Sequence, residues 1–167
     1  DPMPPITDQA VKGADLRTTA FLQPAREFLM TAGLWDRLAP FATPLQIMRI
    51  VDAGGPEPIP RMTRDFDAAD VSYLPFVWNL STLLLRREIV AQLAELPNVD
   101  FRAGVGFASL LTRTNEARVT LTDGTRITAK LVIGADGRNS PVRQAAGIAE
   151  KTTRYGQKAV TFAVTHD

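Results

Sequence analysis

The stretch LVIGADGRNSPVR, residues 131–143, joins two kinds of local structure. The continuous apolar run at residues 131–134 is typical of a strand that is buried on both faces. Ser140 then stands where a helix N-cap is expected, Pro141 suits the first helical position, and Gly147 can end a helix of about two turns. The sequence therefore predicts a strand, a loop bracketed by glycines and a short helix, in that order.

The loop between this strand and this helix has the composition of an anion-binding site. Gly134 and Gly137 allow the backbone to come close to a ligand, and unpaired N–H groups in the first turn of a helix attract anions. Arg138 and Arg143 add positive charge. The corner is suited to a phosphate or pyrophosphate, although a tight strand-to-helix connection without a ligand explains the same local pattern equally well.

A second Asp-Gly pair, Asp123-Gly124, stands in a different setting. Alternating apolar residues precede it at 119–121 and follow it at 127–131, which predicts a β-hairpin with a two-residue type I′ turn. GVGFAS, residues 104–109, lacks the third glycine of a GxGxxG motif and is followed by an extended and then polar stretch. Its glycines are therefore interpreted as a bulge or bend in a strand.

The rest of the chain mixes helical and extended patterns. A helix is predicted to begin at Pro24 and to be ended by Gly33, with an apolar turn at residues 34–38 and a second helix at residues 82–96. Strands are predicted for LQIMRIVDAGG (45–55), PFVWN (75–79), VDF (99–101), VGFASLL (105–111), VTL (119–121), RITAKLVIG (126–134) and the alternating end of KAVTFAVTHD (158–167). Residues 1–20 and RMTRDFDAADV (61–71) are predicted to be loops.

The composition excludes several kinds of site. The 167 residues contain no cysteine, so disulfides, thiolate catalysis and Cys-based zinc sites are excluded, and the one histidine, His166, leaves little for a catalytic triad. The formal net charge is +1 without a Lys/Arg block, so no nucleic-acid partner is expected. No apolar run approaches the roughly 20 residues that cross a bilayer, and a cytoplasmic location is expected.

Several segments together resemble a known family. GADGRNSPVR resembles the Asp-Gly motif of the single-component, FAD-dependent aromatic hydroxylases, the class A flavoprotein monooxygenases. The resemblance narrows to the branch that contains the ubiquinone-biosynthesis hydroxylases because of the order and spacing of further segments: DLRTTAFLQPAREFLMTAGLWDRLAP, PLQIMRIVDAGG, WNLSTLLLRREIVAQL, DGTRITAKLVIGADGRNSPVRQAAGI and YGQKAVTFAV.

The resemblance implies an α/β fold (α+β mixed) in which pieces of an FAD-binding Rossmann-like domain are interleaved with a β-sheet substrate domain. Residues 1–44 and 79–150 would belong to the FAD-binding domain, and residues 45–78 and 151–167 to the substrate sheet. FAD would be the cofactor, NAD(P)H the candidate electron donor, and a small aromatic molecule the substrate. The implied reaction is hydroxylation of an aromatic or quinol ring, in which the flavin carries the chemistry and the protein positions it.

The resemblance also implies a set of cofactor-binding residues, which are Asp136, Gly137, Gly134, Arg143, Arg17 and Arg86. Asp136 and Gly137 would lie near the FAD pyrophosphate and the path of the pyridine nucleotide. Arg17 matches the arginine that follows the ribose-binding strand of the family, and Arg86 the arginine that opens the helix beside the cofactor. A solvated loop residue and an ordinary exposed helix position are the alternatives for these two arginines. No catalytic residue is assigned, and no metal is expected.

Three features of the family are not found in this sequence: the opening GxGxxG motif, the acidic ribose-binding residue, and the later Gly-Asp motif. We therefore expect the chain to be the central part of a longer enzyme, inactive by itself and weak in binding FAD. Two alternatives remain open, a flavin hydroxylase of a soluble phenol or polyketide, and a stand-alone, non-catalytic binding module that associates with a partner or with itself. A prenylated substrate would imply peripheral contact with the inner membrane, although no amphipathic basic helix is visible to anchor it.

Overall fold

The computed structural model describes residues 2–57, 59–158 and 160. They fall into two compact units, Met3–Ala103 and a second unit that runs from Gly104 onward and takes in Pro2. The chain contains both helices and strands, which confirms the mixed α/β class. The predicted division between an FAD-binding and a substrate domain is a separate matter and stays a prediction.

The Met3–Ala103 unit contains a three-stranded sheet and a two-stranded hairpin. Its strands are β1 (Thr18–Leu22), β2 (Thr43–Leu45), β3 (Ile47–Asp52), β4 (Met62–Asp67) and β5 (Val77–Ser81). All pairings are antiparallel: β5 lies between β1 and β2, and β3 pairs with β4. The helices are α1 (Gln23–Thr31), α2 (Trp35–Leu38) and α3 (Thr82–Glu95), with 3₁₀ turns at Ala39–Phe41 and Ala68–Asp70.

The core of this unit is formed by α1, α2 and β5. It consists of the buried residues Leu29, Trp35, Leu38, Trp78 and Leu80. The rings of Trp35 and Trp78 meet edge to face with their centroids 5.7 Å apart. The Arg26 guanidinium carbon lies 5.1 Å from the Trp35 centroid and 4.9 Å from the Trp78 centroid. Because the buried Nε of Arg26 has no hydrogen-bond partner among the described residues, the two indole rings are what stabilise its charge.

The helices of this unit begin and end where the sequence predicts. Gly33 has φ +70°, its N–H donates to the Met30 carbonyl, and the Leu34 N–H donates to the Leu29 carbonyl, which is a Schellman end for α1. The Ser81 hydroxyl accepts the Leu84 N–H at 3.4 Å and caps α3. The apolar turn predicted at residues 34–38 is α2.

The second unit is an antiparallel sheet with one short helix. Its strands are β6 (Phe107–Thr112), β7 (Ala117–Leu121) and β8 (Arg126–Ala129), in that order in the sheet, and its helix is α4 (Pro141–Ala145). A register shift between Phe107 and Ser109 confirms the bulge predicted for GVGFAS.

The hairpin predicted at Asp123-Gly124 is confirmed, but its turn is of another type. Gly124 has φ +85°, whereas no described residue other than glycine has a positive φ, so Asp123 does not take the conformation that a type I′ turn needs. The Gly124 N–H donates to the Leu121 carbonyl at 3.0 Å, and the Leu121 N–H donates to the Thr125 carbonyl at 2.9 Å. This is a type I turn followed by a left-handed glycine, the three-residue form of hairpin loop.

Two segments predicted as loops contain strands. RMTRDFDAADV forms β4, because its partner β3 supplies cross-strand contacts that low strand propensity does not reveal. Arg49 Nε and Nη2, for example, donate to the two carboxylate oxygens of Asp65 at 2.8 and 2.7 Å. Thr18–Leu22, partly within the arm predicted at residues 1–20, forms β1 by pairing with β5.

Two predicted strands are absent from the described residues. VDF follows α3 as irregular chain. LVIG at residues 131–134 has no regular secondary structure and pairs with no segment of the described ranges, and Leu131 and Ile133 expose 73% and 77% of their surface. A strand needs a partner for its N–H and C=O groups, and burial on both faces needs neighbours that are not present here.

The last predicted strand cannot be compared with the structure. Residues 155–158 of YGQKAVTFAV are irregular, and most of its remainder lies outside the described residues, as does His166. None of the helices in the described ranges has the length and apolar character to span a bilayer.

Candidate functional site

The candidate site is built around α4. Ser140 is the N-cap, since its hydroxyl oxygen accepts the Arg143 N–H at 2.9 Å, and Pro141 occupies the first helical position. At the other end Gly147 has φ +67°, and the Ile148 N–H donates to the Arg143 carbonyl at 3.1 Å. The predicted start and end of this helix are confirmed.

Asp136 caps the same helix with its carboxylate. Its Oδ2 accepts the Val142 N–H at 3.0 Å, and its Oδ1 accepts a short hydrogen bond from the Ser140 hydroxyl. The hydrogen bond from Ser140, followed by that from the Val142 N–H, holds the pKa of the Asp136 carboxyl below its ordinary value, and Arg143 adds a smaller Coulombic effect. The chain therefore supplies its own negative charge to the positive end of α4.

This geometry overturns the expectation that first-turn N–H groups of α4 are free for an anion. The Val142 and Arg143 N–H groups are taken by Asp136 and Ser140, and Pro141 has no N–H to offer. A phosphate bound at the end of this short helix would have to displace the Asp136 carboxylate. The N-terminus of α4 is thus a closed structural cap.

The loop of residues 137–139 is the open part of the corner. Gly137, Arg138 and Asn139 are exposed, and no hydrogen bond among the described residues takes up their backbone N–H groups. Gly137 has φ +89°, and a Cβ placed on it would meet no atom within 4 Å. The backbone conformation therefore requires glycine here, and the space beside that glycine is free for the close approach of a ligand such as a diphosphate.

Gly134 and Arg143 serve the packing of the corner. A Cβ on Gly134 would lie 3.2 Å from Cγ1 and 3.3 Å from Cβ of Val142, so the chain before the loop passes close to α4. Arg143 Nη2 lies 3.0 Å from Oε2 of Glu150, and its Nη1 donates to the Ile148 carbonyl at 3.1 Å. Arg138, by contrast, makes no ion pair in the described part of the chain.

A cleft of about 730 Å³ lies beside the loop. Its walls are the β6–β7 hairpin end, residues 130–132 and α4, and both Gly137 and Arg138 line it. Four cations line the cleft, Arg113, Lys130, Arg138 and Arg143, together with the apolar side chains of Leu110, Leu131 and Val142. The volume is in the range of small-molecule and cofactor pockets.

Arg17 and Arg86 lie in the Met3–Ala103 unit, near one carboxylate. Arg17 donates from Nε to Oδ1 of Asp15 at 2.8 Å and from Nη2 to Oδ2 at 2.7 Å. These hydrogen bonds from Arg17 lower the pKa of Asp15 to about 2, and Arg86 contributes a smaller Coulombic effect. The Arg17 carbonyl accepts the Thr82 N–H at 2.9 Å, which ties this residue to the start of α3.

The sequence-predicted residues are therefore found in two sets. Gly134, Asp136, Gly137 and Arg143 meet at the start of α4, whereas Arg17 is paired with Asp15 and Arg86 has only a Coulombic effect on that carboxyl. Sequence reasoning missed Asp15, although its position two residues before Arg17 was a usable signal for an Asx-type contact. No cluster of His, Cys, Asp or Glu in the described ranges could hold a metal ion.

Comparison with known proteins shows that the chain belongs to a family of FAD-binding domains. The model of the FAD binding domain family matches residues 9–166. The ubiquinone hydroxylase UbiL of Rhodospirillum rubrum is 34% identical over 155 residues, which are 93% of this chain and 35% of that protein. The 3-demethoxyubiquinol 3-hydroxylase of Escherichia coli is 33% identical over 99 residues, 59% of this chain and 25% of that protein.

A solved structure shows the same fold. The p-nitrophenol 4-monooxygenase PnpA from Pseudomonas putida superposes with a TM-score of 0.67 at 21% identity, over 84% of this chain and 36% of its own. The predicted family and its ubiquinone branch are confirmed, and so is FAD as the cofactor of the family. This chain spans about a third of the length of the Rhodospirillum relative.

Proposed function

We propose that the complete protein is an FAD-dependent monooxygenase that hydroxylates an aromatic or quinol ring in ubiquinone biosynthesis, with NAD(P)H as the electron donor. The observation that carries this proposal is the open loop at Gly137, set on a capped helix in a chain whose residues 9–166 match the FAD binding domain family. The choice of ring rests on the two relatives, a ubiquinone hydroxylase and a 3-demethoxyubiquinol 3-hydroxylase.

The loop of residues 137–139 is proposed to hold the diphosphate of FAD. Its three unsatisfied N–H groups can donate to phosphate oxygens, and the Arg138 side chain adds a positive charge that no carboxylate neutralises among the described residues. Gly134 and Arg143 keep α4 in place behind the loop. The bound flavin supplies the redox chemistry, while the residues of this chain bind and orient it.

Arg17 and Arg86, in the Met3–Ala103 unit, are proposed as cofactor-binding residues on the resemblance to the family alone. Arg17 is exposed over 71% of its side chain, so an acceptor oxygen of the cofactor can reach its guanidinium by replacing Asp15. The two hydrogen bonds to the Asp15 carboxylate hold the Arg17 guanidinium in one orientation, with Nε and Nη2 directed at acceptor oxygens.

The aromatic substrate is proposed to contact residues 45–78 and 151–167. Met48, Ile50 and Met62 are exposed on the hairpin of β3 and β4 and offer an apolar surface to a ring or a prenyl chain. A prenylated substrate would bring the protein to the inner-membrane surface from the cytoplasm. Self-association is proposed for the isolated chain, since Leu131 and Ile133 expose apolar surface.

The proposal is tested on the longer polypeptide encoded by this segment with its flanking DNA. We expect the purified protein to carry FAD, and to hydroxylate a polyprenylated phenol with consumption of NAD(P)H but not soluble phenols. Activity on soluble phenols alone would replace the substrate with the soluble alternative. A reading frame that contains only these 167 residues, or a longer product without flavin, would overturn the enzymatic function.

A further inference from the structure

We propose that Asp136 and Ser140 form a positioning pair, which holds residues 137–139 in the conformation that binds the cofactor diphosphate, and that the Asp136 carboxylate does not itself contact the cofactor. This inference rests on the proposed function. It changes the role of Asp136 from a binding residue, as the motif implies, to a residue that acts through the neighbouring loop.

The direction of the hydrogen bonds at Ser140 is fixed by chemistry. An ionised carboxylate only accepts and a backbone N–H only donates, so the single proton of the Ser140 hydroxyl goes to Asp136 while its oxygen accepts from Arg143. Ser140 is 6% exposed and is the buried polar residue of the described chain. Its hydroxyl therefore has no proton left to donate to a ligand phosphate, and its burial keeps it from one.

Both oxygens of Asp136 accept hydrogen bonds from within the protein. Oδ1 is held by Ser140 and Oδ2 by the Val142 N–H. The carboxylate charge is stabilised by the positive end of α4 in this position, whereas contact with a diphosphate would place like charges together. Both carboxylate oxygens are thus already engaged within the protein, whereas the hydrogen bonds of the described residues leave the N–H groups of residues 137–139 free.

The same contacts close the loop at its two ends. Asp136 stands directly before Gly137 and Ser140 directly after Asn139, and a side-chain hydrogen bond joins these two end residues. The three residues between them cannot change conformation freely while that bond is intact. A loop ordered in advance binds its ligand at a lower entropic cost than one that must be ordered on binding.

The test uses the 167-residue chain labelled with ¹⁵N and inorganic pyrophosphate as the probe. Ser140→Ala removes the hydrogen bond, Ser140→Thr keeps a hydroxyl, and Ser109→Ala changes an exposed serine on β6 in the same unit. We expect pyrophosphate to shift the amide resonances of residues 137–139 saturably in the wild type, in Ser140→Thr and in Ser109→Ala. In Ser140→Ala the apparent Kd should rise by about tenfold.

A second readout separates positioning from a general loss of structure. The ¹³C resonance of the Asp136 carboxyl, followed against pH, should show its pKa moving up toward the ordinary value in Ser140→Ala and staying low in the other two variants. The first turn of α4 and Arg143 are the groups that face this carboxyl, and all three variants retain them. If Ser140→Ala does not fold, Ser140→Cys makes the same comparison with a weaker donor.

Two outcomes would overturn the inference. An unchanged pyrophosphate affinity in Ser140→Ala would show that the conformation of the loop does not depend on the Asp136–Ser140 pair. If pyrophosphate does not shift the amide resonances of residues 137–139 in the wild type, the loop is not the diphosphate-binding element. The first result leaves the proposed function untouched, and the second removes the loop from the proposed FAD contacts. The flavin content and activity of the longer polypeptide are measured separately, so a failure of the inference is distinguishable from a failure of the proposed function.

Discussion

The carboxylate of Asp136 stabilises α4 only while it is ionised. Its hydrogen bonds lower the folded-state pKa below the unfolded value, so its contribution to stability is present above the unfolded pKa and is lost as the pH falls through the folded pKa. We expect α4 to lose protection on acidification below about pH 4, the range in which an unperturbed aspartate titrates. Amide hydrogen exchange of residues 141–147 between neutral and acidic pH measures this.

The matching variants are Asp136→Asn and Asp65→Asn. The first should reduce α4 protection at neutral pH and remove its acid dependence, because the amide carries no charge for the helix end. The second removes a carboxylate whose pKa is also lowered, by Arg49, but on β4 in the other unit. If Asp136→Asn leaves the exchange of α4 unchanged at neutral pH, the cap does not stabilise the helix.

At the scale of residues, the sequence predicted which residues begin and end α4 but not all the hydrogen bonds that they make. Ser140, Pro141 and Gly147 were predictable because caps depend on neighbouring positions along the chain. The bond from the Val142 N–H to Asp136 spans six residues and requires the chain to turn back through Gly137. The residue types alone do not specify this turn of the chain. The first-turn N–H groups of α4 were therefore expected to be free, whereas Asp136 and Ser140 accept their hydrogen bonds.

Among the elements, α1 depends on the left-handed conformation of Gly33. An L-residue with a Cβ is strained at φ +70°, and the added atom would also lie 3.4 Å from the Gln92 side chain. We expect Gly33→Ala to lower the free energy of unfolding of the Met3–Ala103 unit by about 1 kcal/mol. Urea unfolding followed by tryptophan fluorescence measures it.

Gly33→Asn is the matched control for this prediction. Asparagine enters the left-handed region more readily than other L-residues, so it should recover part of the stability that alanine loses. Equal destabilisation by both variants would point to the contact with Gln92 rather than to the backbone conformation. No loss in either variant would contradict the assignment of Gly33 as the helix end.

Helices were predictable because their periodicity and caps are encoded by residues close together in the sequence. Strands were missed where they form only through pairing with a distant segment. The helices carry their own periodicity and caps, and α1 and α3 were found on that basis. β4 was missed because MTRDFD is polar, and it is a strand only through its partner β3. The run at 131–134 gave the opposite error, since its apolar composition favours a strand and no described segment pairs with it.

For the whole molecule, we expect the 167-residue chain to bind FAD weakly and to be inactive. It covers 35% of the length of the Rhodospirillum relative and contains no GxGxxG motif, which in dinucleotide-binding folds receives the pyrophosphate. A titration of FAD, followed by the fluorescence of the flavin, measures the affinity. Tight binding of one FAD per chain would contradict this expectation.

Family and fold class could be predicted at this scale, since the order of several motifs identified both. The assignment of residues to an FAD-binding domain and a substrate domain stays a prediction. The two compact units are defined by contacts within this chain and not by which ligand each part binds. These contacts depend on strand pairing, such as the pairing of β7 with both β6 and β8.

The cluster of Trp35, Arg26 and Trp78 determines which part of this protein intrinsic tryptophan fluorescence reports on. These are the two tryptophans of the chain, and both belong to the core of the Met3–Ala103 unit. Intrinsic indole emission therefore records the state of that core. Residues 137–139 belong to the other compact unit and include no tryptophan, so a reporter group introduced near Asn139 is the way to follow the candidate site itself by fluorescence.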